Sequence, residues 1–489
     1  MSPAHSPGQR RWVVIVVVIA VFAGVAVAAR SPGKGPTGGP PLRPAAIAGA
    51  PDAESSAWYC TGQTTAAGQL APGSLVLTNT GKGAVTGTID GVTDTGAKVH
   101  SPVSVPGRGQ LVPRVPTPKS GTWLSESVTL TGGGVAVSQA VHGASGWAEA
   151  PCQSSTAQQW YFPTGVTTGS NALFIALYNP TSTPDVVDVS FVTPKGVVHP
   201  INFQGIVVQS DQTQVEPVSP IVQDQTNIAT TVVTRTGRLV AGELQLFSGN
   251  GTGMALVPGS PRAMQEWAVP QSEEVDGGTS SLDVFNPGPT AQDVTVHARL
   301  GSGPLAPFRA RVSPDTTWVL STGAQSRIPK NDPYAAVVQA SGGSGVIVGR
   351  LVAAASTDQA PQDGAATAVD VLSAASPARR WVVPSPGSAA DPAVPGAAPA
   401  HLALTNLSTH RETYVIEVMR RSGLRTIASG SLRFTRSFLL DQAILARAGL
   451  NPLIVTSSGS MAVSEDIGPT GTYGVVTMPG IPLSPALER

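Results

Sequence analysis

The chain has 489 residues, including 54 glycines and 44 prolines, and its 30 Lys and Arg balance its 30 Asp and Glu. Charged residues make up 12% of the chain, about half the share in an ordinary soluble domain. The balance of charges argues against a nucleic-acid binder, which needs a cationic surface, and against a disordered polyelectrolyte. The 41% hydrophobic content is enough for cored domains. Length and composition therefore predict several cored domains rich in short strands and turns.

The N-terminal region contains an uninterrupted apolar run directly after two arginines. The run covers residues 12–29 (WVVIVVVIAVFAGVAVAA), and a helix of this length spans about 27 Å, close to the hydrocarbon thickness of a bilayer. We expect a single-pass transmembrane signal-anchor with residues 1–11 as a cytoplasmic tail and the remaining chain outside. Cleavage near Ala26–Ala28, which would release a secreted protein, is the alternative. Residues 30–57, rich in Pro, Gly and Ala, are predicted to form an extended tether.

Four tryptophans open similar extended segments at nearly constant spacing, and these are Trp58, Trp160, Trp267 and Trp381. An alternating strand follows each tryptophan and ends at an asparagine turn, formed by Asn79, Asn179, Asn286 and Asn406. A hairpin of two apolar strands around a glycine turn follows each asparagine. These three landmarks recur four times in the same order, with a period of roughly 105 residues, which indicates complete small domains and not solenoid units.

Each repeat carries short strands separated by regular turn signals, as an antiparallel β-sandwich does. Alternation in LDVFN and DVTVHA predicts one face toward a core and one toward solvent. We therefore predict an all-β fold of four tandem antiparallel β-sandwich (immunoglobulin-like) repeats after one N-terminal transmembrane helix. The predicted repeats cover residues 58–157, 158–264, 265–378 and 379–489. A closed toroid or propeller-like arrangement of the four repeats is the alternative, because the C-terminal YGVVTMPGIPL resembles GMALVPGSP ahead of the third tryptophan.

The two cysteines, Cys60 and Cys152, form an even pair in a chain that is predicted to be exported. This context favours a disulfide over two buried free thiols. The bridge would join the first strand of repeat 1 to the end of the same repeat, and closing a loop of this length stabilises a fold by roughly 4–5 kcal/mol. The other repeats have Phe162, Val269 and Val383 at the position of Cys60, so we expect apolar packing there.

The repeat unit has a recurring motif: W-[YAV]-x-P, an alternating strand, N-P, and a strand that ends in glycine. This unit resembles a family of uncharacterised actinobacterial exported proteins that is known only as a domain of unknown function. The resemblance covers residues 58–485 and is strongest in repeat 2, in WYFPTG, ALYNPTSTPDVVDVSFVTPKG and ATTVVTRTGRLVAGELQLF. Repeat 4 departs from the pattern at Leu407, where repeats 2 and 3 have proline. The resemblance implies an exported compartment and no chemistry.

The motif content predicts no catalytic, cofactor or metal site. The seven histidines form no HxxxH, HxH or HExxH motif, and the chain has no CxxC and no GxSxG. Glycine-rich pieces such as TGGGVA lack the phosphate-loop lysine and are predicted to be hairpin turns. An envelope hydrolase would need two converging carboxylates. The candidates for such a pair are Asp188, Asp224, Glu243, Glu273, Glu274, Asp283, Glu465 and Asp466.

We expect a non-catalytic, membrane-anchored extracytoplasmic protein that acts as a scaffold or accessory factor in cell-envelope assembly. Its expected partners are the membrane, through the N-terminal helix, and an envelope protein or polysaccharide. The alternative is a glycan-binding protein of the cell envelope, in which exposed aromatic rings stack on sugars. The tryptophans available for such contacts are Trp123, Trp147 and Trp318, with Tyr178 and Tyr334 beside them.

Overall fold

Frequent turn residues divide the chain into short strands, and in the described part of the chain these strands form eight antiparallel sheets. The structure is a computed structural model, and it describes residues 46–66, 68–248, 253–272, 279–300, 302–329, 334–353, 367–371, 378–385, 397–408, 410–433, 437–440, 442–449, 451–469 and 476–484. The eight sheets are arranged as an eight-bladed β-propeller, with two sheets from each repeat. The helix predicted at 12–29 lies outside the described residues, and no helix within them is long and apolar enough to cross a membrane.

Repeats 1 and 2 have the same order of strands. The strands of repeat 1 are β1 (Ser56–Thr64), β2 (Gly73–Asn79), β3 (Val85–Thr93), β4 (Lys98–Val105), β5 (Gly109–Leu111), β6 (Trp123–Leu130), β7 (Val135–Gly143) and β8 (Gly146–Pro151). The strands of repeat 2 are β9 (Gln159–Phe162), β10 (Ala172–Asn179), β11 (Asp185–Thr193), β12 (Gly196–Val198), β13 (Ile206–Val208), β14 (Gln212–Pro217), β15 (Ala229–Thr236), β16 (Val240–Phe247) and β17 (Gly253–Pro258), with a 3-10 turn at Ile201–Phe203.

Repeats 3 and 4 continue this order. The strands of repeat 3 are β18 (Glu266–Ser272), β19 (Thr279–Asn286), β20 (Gln292–Leu300), β21 (Gly303–Pro304), β22 (Phe308–Val312), β23 (Thr316–Ser321), β24 (Tyr334–Ser341), β25 (Ile347–Ala353) and β26 (Thr367–Val371), with a 3-10 turn at Thr322–Ala324. The elements of repeat 4 are β27 (Arg380–Val383), β28 (Ala397–Asn406), β29 (Glu412–Arg420), β30 (Gly423–Leu432), β31 (Ser437–Leu440), the short helix α1 (Gln442–Leu445), β32 (Leu453–Ser457), β33 (Met461–Pro469), β34 (Val476–Pro479) and β35 (Ile481–Pro482).

Each repeat divides its strands between two sheets, which we call the Trp sheet and the Asn sheet after their defining residues. In repeat 1 the Trp sheet has the order β1-β6-β3-β4 and the Asn sheet the order β8-β7-β2-β5. The other repeats follow this order, with small additions at the sheet edges. Sequence neighbours such as β2 and β3 therefore lie in different sheets, and the chain crosses between the two sheets several times in each repeat.

The two sheets of one repeat enclose a core around its opening tryptophan. All four of these tryptophans are almost completely buried, and they are Trp58, Trp160, Trp267 and Trp381. In repeats 2 and 3 the indole Nε1 also donates a hydrogen bond to a backbone carbonyl: to Leu239 at 3.0 Å from Trp160, and to Val346 at 2.7 Å from Trp267. The tryptophans therefore fill the space between the sheets of each repeat.

The residue after each tryptophan points to the opposite face, which packs on the next repeat. The ring of Tyr59 lies 6.4 Å from that of Tyr178 in repeat 2, and Tyr161 lies 6.3 Å from Phe285 in repeat 3. Val382 of repeat 4 packs in the core of repeat 1. The prediction of four separate immunoglobulin-like sandwiches is wrong, because the Trp sheets are covered on both faces. The alternative, a closed propeller-like arrangement, is correct.

The two ends of the described chain close the ring. The backbone N–H of Ala48 donates to the carbonyl of Pro482 at 3.0 Å, and that of Ser484 donates to the carbonyl of Ala48 at 3.0 Å. Ala48 is completely buried in the core of repeat 1. Residues 46–57, at the end of the predicted tether, therefore lie in the folded ring. Around the axis, the strands β8, β17, β26 and β34 each contact the next, and β34 contacts β8.

The four landmark asparagines hold the crossing from one sheet to the other, and each is completely buried. Each Nδ2 donates to the carbonyl four residues later and to a second carbonyl in the chain that returns to the turn. These second carbonyls belong to Val105, Val208, Val312 and Leu432. Each Oδ1 accepts the backbone N–H two residues later. The amide thus satisfies three backbone groups that the turn leaves without strand partners.

We expect Asn179→Ala to lower the free energy of unfolding by about 2–4 kcal/mol, because it leaves buried backbone groups without partners. The measurement is equilibrium unfolding by denaturant. Asn179→Asp should be similarly destabilised, since a carboxylate cannot donate to the carbonyls of Thr183 and Val208. The control is Asn202→Ala at an exposed position, which should change stability little. A loss at Asn179 no larger than at Asn202 would contradict this account of the turn.

The structure contains the disulfide between Cys60 and Cys152. Pro151 precedes Cys152, and the corresponding Pro258 of repeat 2 precedes Gly259. Repeat 2 thus has Phe162 and Gly259 where repeat 1 has the two cysteines. A side chain at Gly259 would meet the Phe162 ring, because a Cβ there would lie 2.8 Å from its Cζ. A large ring facing a glycine therefore replaces the disulfide in filling this part of the core.

Since Phe162 and Gly259 of repeat 2 fill the space that the disulfide fills in repeat 1, we compare two double variants of the cysteines. The variant with Cys60→Phe and Cys152→Gly should be more stable than the variant with Cys60→Ala and Cys152→Ala by about 2 kcal/mol, because the phenyl ring fills the space that the alanines leave. Both double variants should be less stable than the oxidised protein by several kcal/mol, since both lose the crosslink. The single variant Cys60→Phe should be less stable than the Phe-Gly pair, because its ring meets a Cβ. Equal stability of the two double variants in a denaturant titration would refute the proposed equivalence.

Candidate functional site

The aromatic residues predicted as sugar contacts lie in three different places. Trp123 on β6 is 8% exposed and packs against Phe174 of repeat 2, with ring centroids 5.1 Å apart. Trp147 on β8 is 4% exposed and lies beside the ring axis. Tyr178 and Tyr334 are also buried. Trp318 is half-buried on β23, the outermost strand of its sheet, so of these five rings Trp318 offers the most surface to a ligand.

The candidate carboxylates are spread over three repeats. Glu243, Asp283 and Glu465 lie on the Asn sheets of repeats 2, 3 and 4, and all three are at most 1% exposed, so none is open to a substrate from solvent. Asp188 forms a bidentate ion pair with Arg235 on the outer part of repeat 2, at 2.6 and 2.7 Å. Asp224 is exposed on a loop. Glu273 and Glu274 lie outside the described residues, and so does the side chain of Asp466.

The Asn sheets share a buried polar position that sequence reasoning did not identify as a set. It lies opposite the residue four before each landmark asparagine and is occupied by Gln139, Glu243, Arg350 and Glu465. Gln139 donates through Nε2 to the carbonyl of Thr61 at 2.8 Å. Glu243 has no hydrogen-bond partner among the described residues, and burial raises its pKa well above the ordinary value. In every repeat this polar residue follows the hairpin glycine by six or seven residues. This constant spacing is the sequence signal that could have identified the position.

Three further buried carboxyl groups have raised pKa values. Burial raises the pKa of Glu149 to about 8, although the Ser138 hydroxyl donates to it at 2.8 Å. Burial also raises the pKa of Glu126 to about 7. Asp283 has a pKa of about 7 for the same reason, and it accepts a hydrogen bond from Asn227 of repeat 2 at 2.6 Å, across the junction of repeats 2 and 3. At pH values below neutrality these groups are largely uncharged, and they then act as hydrogen-bonding groups within the core.

A small cavity lies between repeats 1 and 2 beside the disulfide. Its lining includes Gln139 and Gln153, whose Nε2 groups donate to backbone carbonyls of Thr61 and Gly259. This orientation leaves both amide oxygens without a partner within the described part of the chain. The cavity has a volume of about 20 Å³, enough for about one water molecule and too small for a metabolite.

The exposed charges form isolated pairs on the outer parts of the sheets. Lys98 of repeat 1 pairs with Asp211 of repeat 2, and His100 contacts Asp90 at 2.6 Å within repeat 1. Within the described ranges, no group of three or more His, Cys, Asp or Glu residues is placed to hold a metal ion. The carboxyl groups whose pKa values are raised to about 7 or 8 are thus internal, whereas these charged pairs face solvent.

A family described as a family of unknown function (DUF5719) matches residues 126–397, more than half of the chain. The chain belongs to the DUF5719 family. The matched segment covers the end of repeat 1, all of repeats 2 and 3, and the start of repeat 4, so it includes both of the repeats that carry the N-P turn. No curated protein matches the chain.

Several solved structures are similar to parts of this DUF5719 member. Thermotoga maritima 1070 is 15% identical and is aligned over 22% of this chain and 93% of that chain, with a TM-score of 0.20. The Anabaena sensory rhodopsin transducer is 18% identical over 18% and 94%, with a TM-score of 0.16. A tetra-tandem repeat from the extending region of a large adhesion protein is 13% identical over 82% and 92%, with a TM-score of 0.11. These TM-scores are too low to support an argument about fold or function.

The raised pKa of Glu149 predicts stability that decreases with increasing pH. The folded protein holds this proton up to about pH 8, whereas the unfolded chain releases it near pH 4.5. The contribution of Glu149 to the free energy of unfolding is therefore fully present below pH 4.5 and is lost as the pH rises through about 8. Glu149→Gln, which keeps an acceptor for Ser138, should flatten the pH dependence of the unfolding free energy in this window by up to about 1.4 kcal/mol per pH unit.

Denaturant titrations between pH 4 and 9 check this expectation, with the exposed Glu54→Gln as the matched control. The control should keep the wild-type slope. If Glu149→Gln also keeps the wild-type slope, Glu149 is ionised in the folded protein and the expectation fails.

Proposed function

We propose that this DUF5719 member is a non-catalytic, membrane-anchored extracytoplasmic scaffold or accessory factor in cell-envelope assembly. The observation that carries the proposal is the closed ring, in which the chain enters through a buried N-terminal segment directly after the predicted anchor and tether. A ring of this kind is suited to holding partners at a fixed place near the membrane.

The attachment of the chain to the ring supports this proposal. Ala48 is completely buried and pairs with the C-terminal segment at Pro482 and Ser484. The chain that leads to the anchor thus starts from a fixed point on the folded ring. The disulfide of repeat 1 also agrees with an oxidising compartment outside the cytoplasm.

The outer surface of the ring is the region that supports a scaffold. The buried polar groups belong to the core, and the described cavity accepts only about one water. In contrast, the outermost strand of each sheet pairs on one side only, which leaves backbone donors and acceptors for a partner. Such a surface suits an interaction protein more than an enzyme.

Glycan binding at the envelope is the second candidate function, and one observation favours it. Trp318 is half-buried on an outermost strand next to Val319, which is 40% exposed. One side of an indole at such a position is free to contact a sugar ring. Binding of envelope polysaccharide that Trp318→Ala abolishes and Trp123→Phe preserves would favour this function over the scaffold.

Membrane attachment predicts that the full chain fractionates with membranes and that a double charge in the apolar run releases it. Val17→Arg with Val18→Arg places two charges near the centre of the run, where each costs about 2.5–3.5 kcal/mol of insertion free energy. Val17→Leu with Val18→Leu is the matched control and should stay in the membrane fraction. Recovery of the unmodified chain from the medium, shortened after the apolar run, would show a cleaved signal instead of an anchor.

The scaffold role is tested by capture of the full chain from native membranes and by deletion of the gene. We expect an envelope protein or polysaccharide to be captured reproducibly and the cell wall to change in the deletion strain. Capture of no envelope partner together with an unaltered wall would contradict the proposal.

A further inference from the structure

The outer edge of the Trp sheet in repeat 2 differs from the corresponding edges in repeats 1 and 4. In those repeats the outermost strand is continuous, as β4 (Lys98–Val105) and β30 (Gly423–Leu432). In repeat 3 this edge is divided into β21 and β22, and in repeat 2 it is divided into β12 and β13, which pair with the two ends of β11. The segment between them, residues 199–205, forms an extra loop with a 3-10 turn.

Several contacts hold this loop in one conformation. The Phe203 side chain is buried against Phe191, with ring centroids 4.8 Å apart. The Gln204 amide donates to the carbonyl of Val189 at 2.9 Å, and the backbone N–H of Gly205 donates to Asp188 at 2.8 Å. Asp188 is held in turn by its ion pair with Arg235. The loop is therefore preorganised, and its outward side chains have fixed positions.

Four of the outward side chains of this edge are apolar, beside the exposed polar His199 and Asn202. Ile201 is 83% exposed, the highest exposure among the large hydrophobic residues of the described chain. Val197, Val198 and Val207 on the adjoining strands are between 36% and 51% exposed. We call these four residues the repeat 2 knob. By strand register Val197 and Val207 lie on one face of the sheet edge and Val198 on the other. A sheet edge with exposed apolar side chains on both faces indicates a surface that is covered in use.

The charged residue nearest the knob in the sequence is Lys195. Between Asp188 and Asp211 the sequence has no Asp or Glu, whereas it has Lys195 and His199 next to the knob. The carboxylate of Asp188 is already occupied by Arg235. Apolar side chains with neighbouring basic groups match the interface of an anionic bilayer, where apolar insertion and attraction to the headgroups act together.

The predicted anchor keeps the ring close enough to a bilayer for this contact. Residues 30–45 can span at most roughly 55 Å when fully extended. This span is longer than the width of one four-stranded sheet, which is about 20 Å. We propose that the repeat 2 knob docks on the anionic phospholipid surface of the membrane in which the chain itself is anchored. This inference rests on the proposed membrane attachment.

The test uses the full chain reconstituted into liposomes of phosphatidylcholine and phosphatidylglycerol that also contain a nitroxide-labelled lipid. Ile201→Cys carries an environment-sensitive fluorophore. Ile221→Cys is the matched control, because Ile221 is also an exposed isoleucine of repeat 2, 43% exposed, and the charged residue nearest to it in the sequence is the acidic Asp224 instead of a basic residue. We expect the nitroxide to remove most of the fluorescence at position 201 and little at position 221. Adding Lys195→Glu to the Ile201→Cys protein should reduce the quenching.

Two outcomes separate this inference from the proposed function. If the protein floats with the liposomes but position 201 is quenched no more than position 221, the knob does not contact lipid and this inference is overturned, while membrane attachment stands. If the full chain does not float with the liposomes, membrane attachment fails and the inference fails with it.

Discussion

The sheets of this propeller carry apolar side chains on both faces, and each needs a neighbour on either side. The Trp sheet of repeat 1 places Trp58 in its own core and Tyr59 against Tyr178 of repeat 2. All eight residues of β16 (Val240–Phe247) in the Asn sheet of repeat 2 are buried. An open row of such sheets would leave two apolar end faces in water, and closing the row into a ring removes both. Two-sided burial therefore requires the ring.

Closure in turn makes the ends of the chain part of the core. Ala48 lies between the first and last repeats and bonds with the C-terminal segment, so the segment next to the predicted tether also joins repeat 4 to repeat 1. The disulfide stabilises the same first repeat from within by joining its opening strand to its end. The repeat that follows the predicted anchor and tether thus has a covalent crosslink as well as packing.

The repeat and its strands could be read from the sequence, but their assembly could not. The tryptophan and asparagine landmarks mark the same buried positions in all four repeats, because a core indole and a turn amide need particular neighbours. Alternation in DVTVHA suggested a solvent face, yet that outward face carries His297 and other partly covered residues. The better signal was FIALYN in β10 (Ala172–Asn179), where consecutive apolar residues indicate burial on both faces. Contacts between residues of neighbouring repeats, such as the hydrogen bond from Asn227 to Asp283, could be found only from the structure.

The four repeats differ from one another both in the core and on the outer edges of their sheets. The differences in the core preserve packing, whereas those on the outer edge of repeat 2 do not. Inside the ring, substitutions are compensated: Phe162 faces Gly259 where repeat 1 has its disulfide, since a close-packed core must be filled in either case. On the outer edge of repeat 2, the loop that carries Ile201 has no such partner, although the fold beneath it is supported by Phe203 and Asp188. An exposed apolar side chain contributes nothing to the core that displays it. Because the packing of the ring gives no reason for the exposure of Ile201, the outer edge of repeat 2 is where a partner of this ring should be sought.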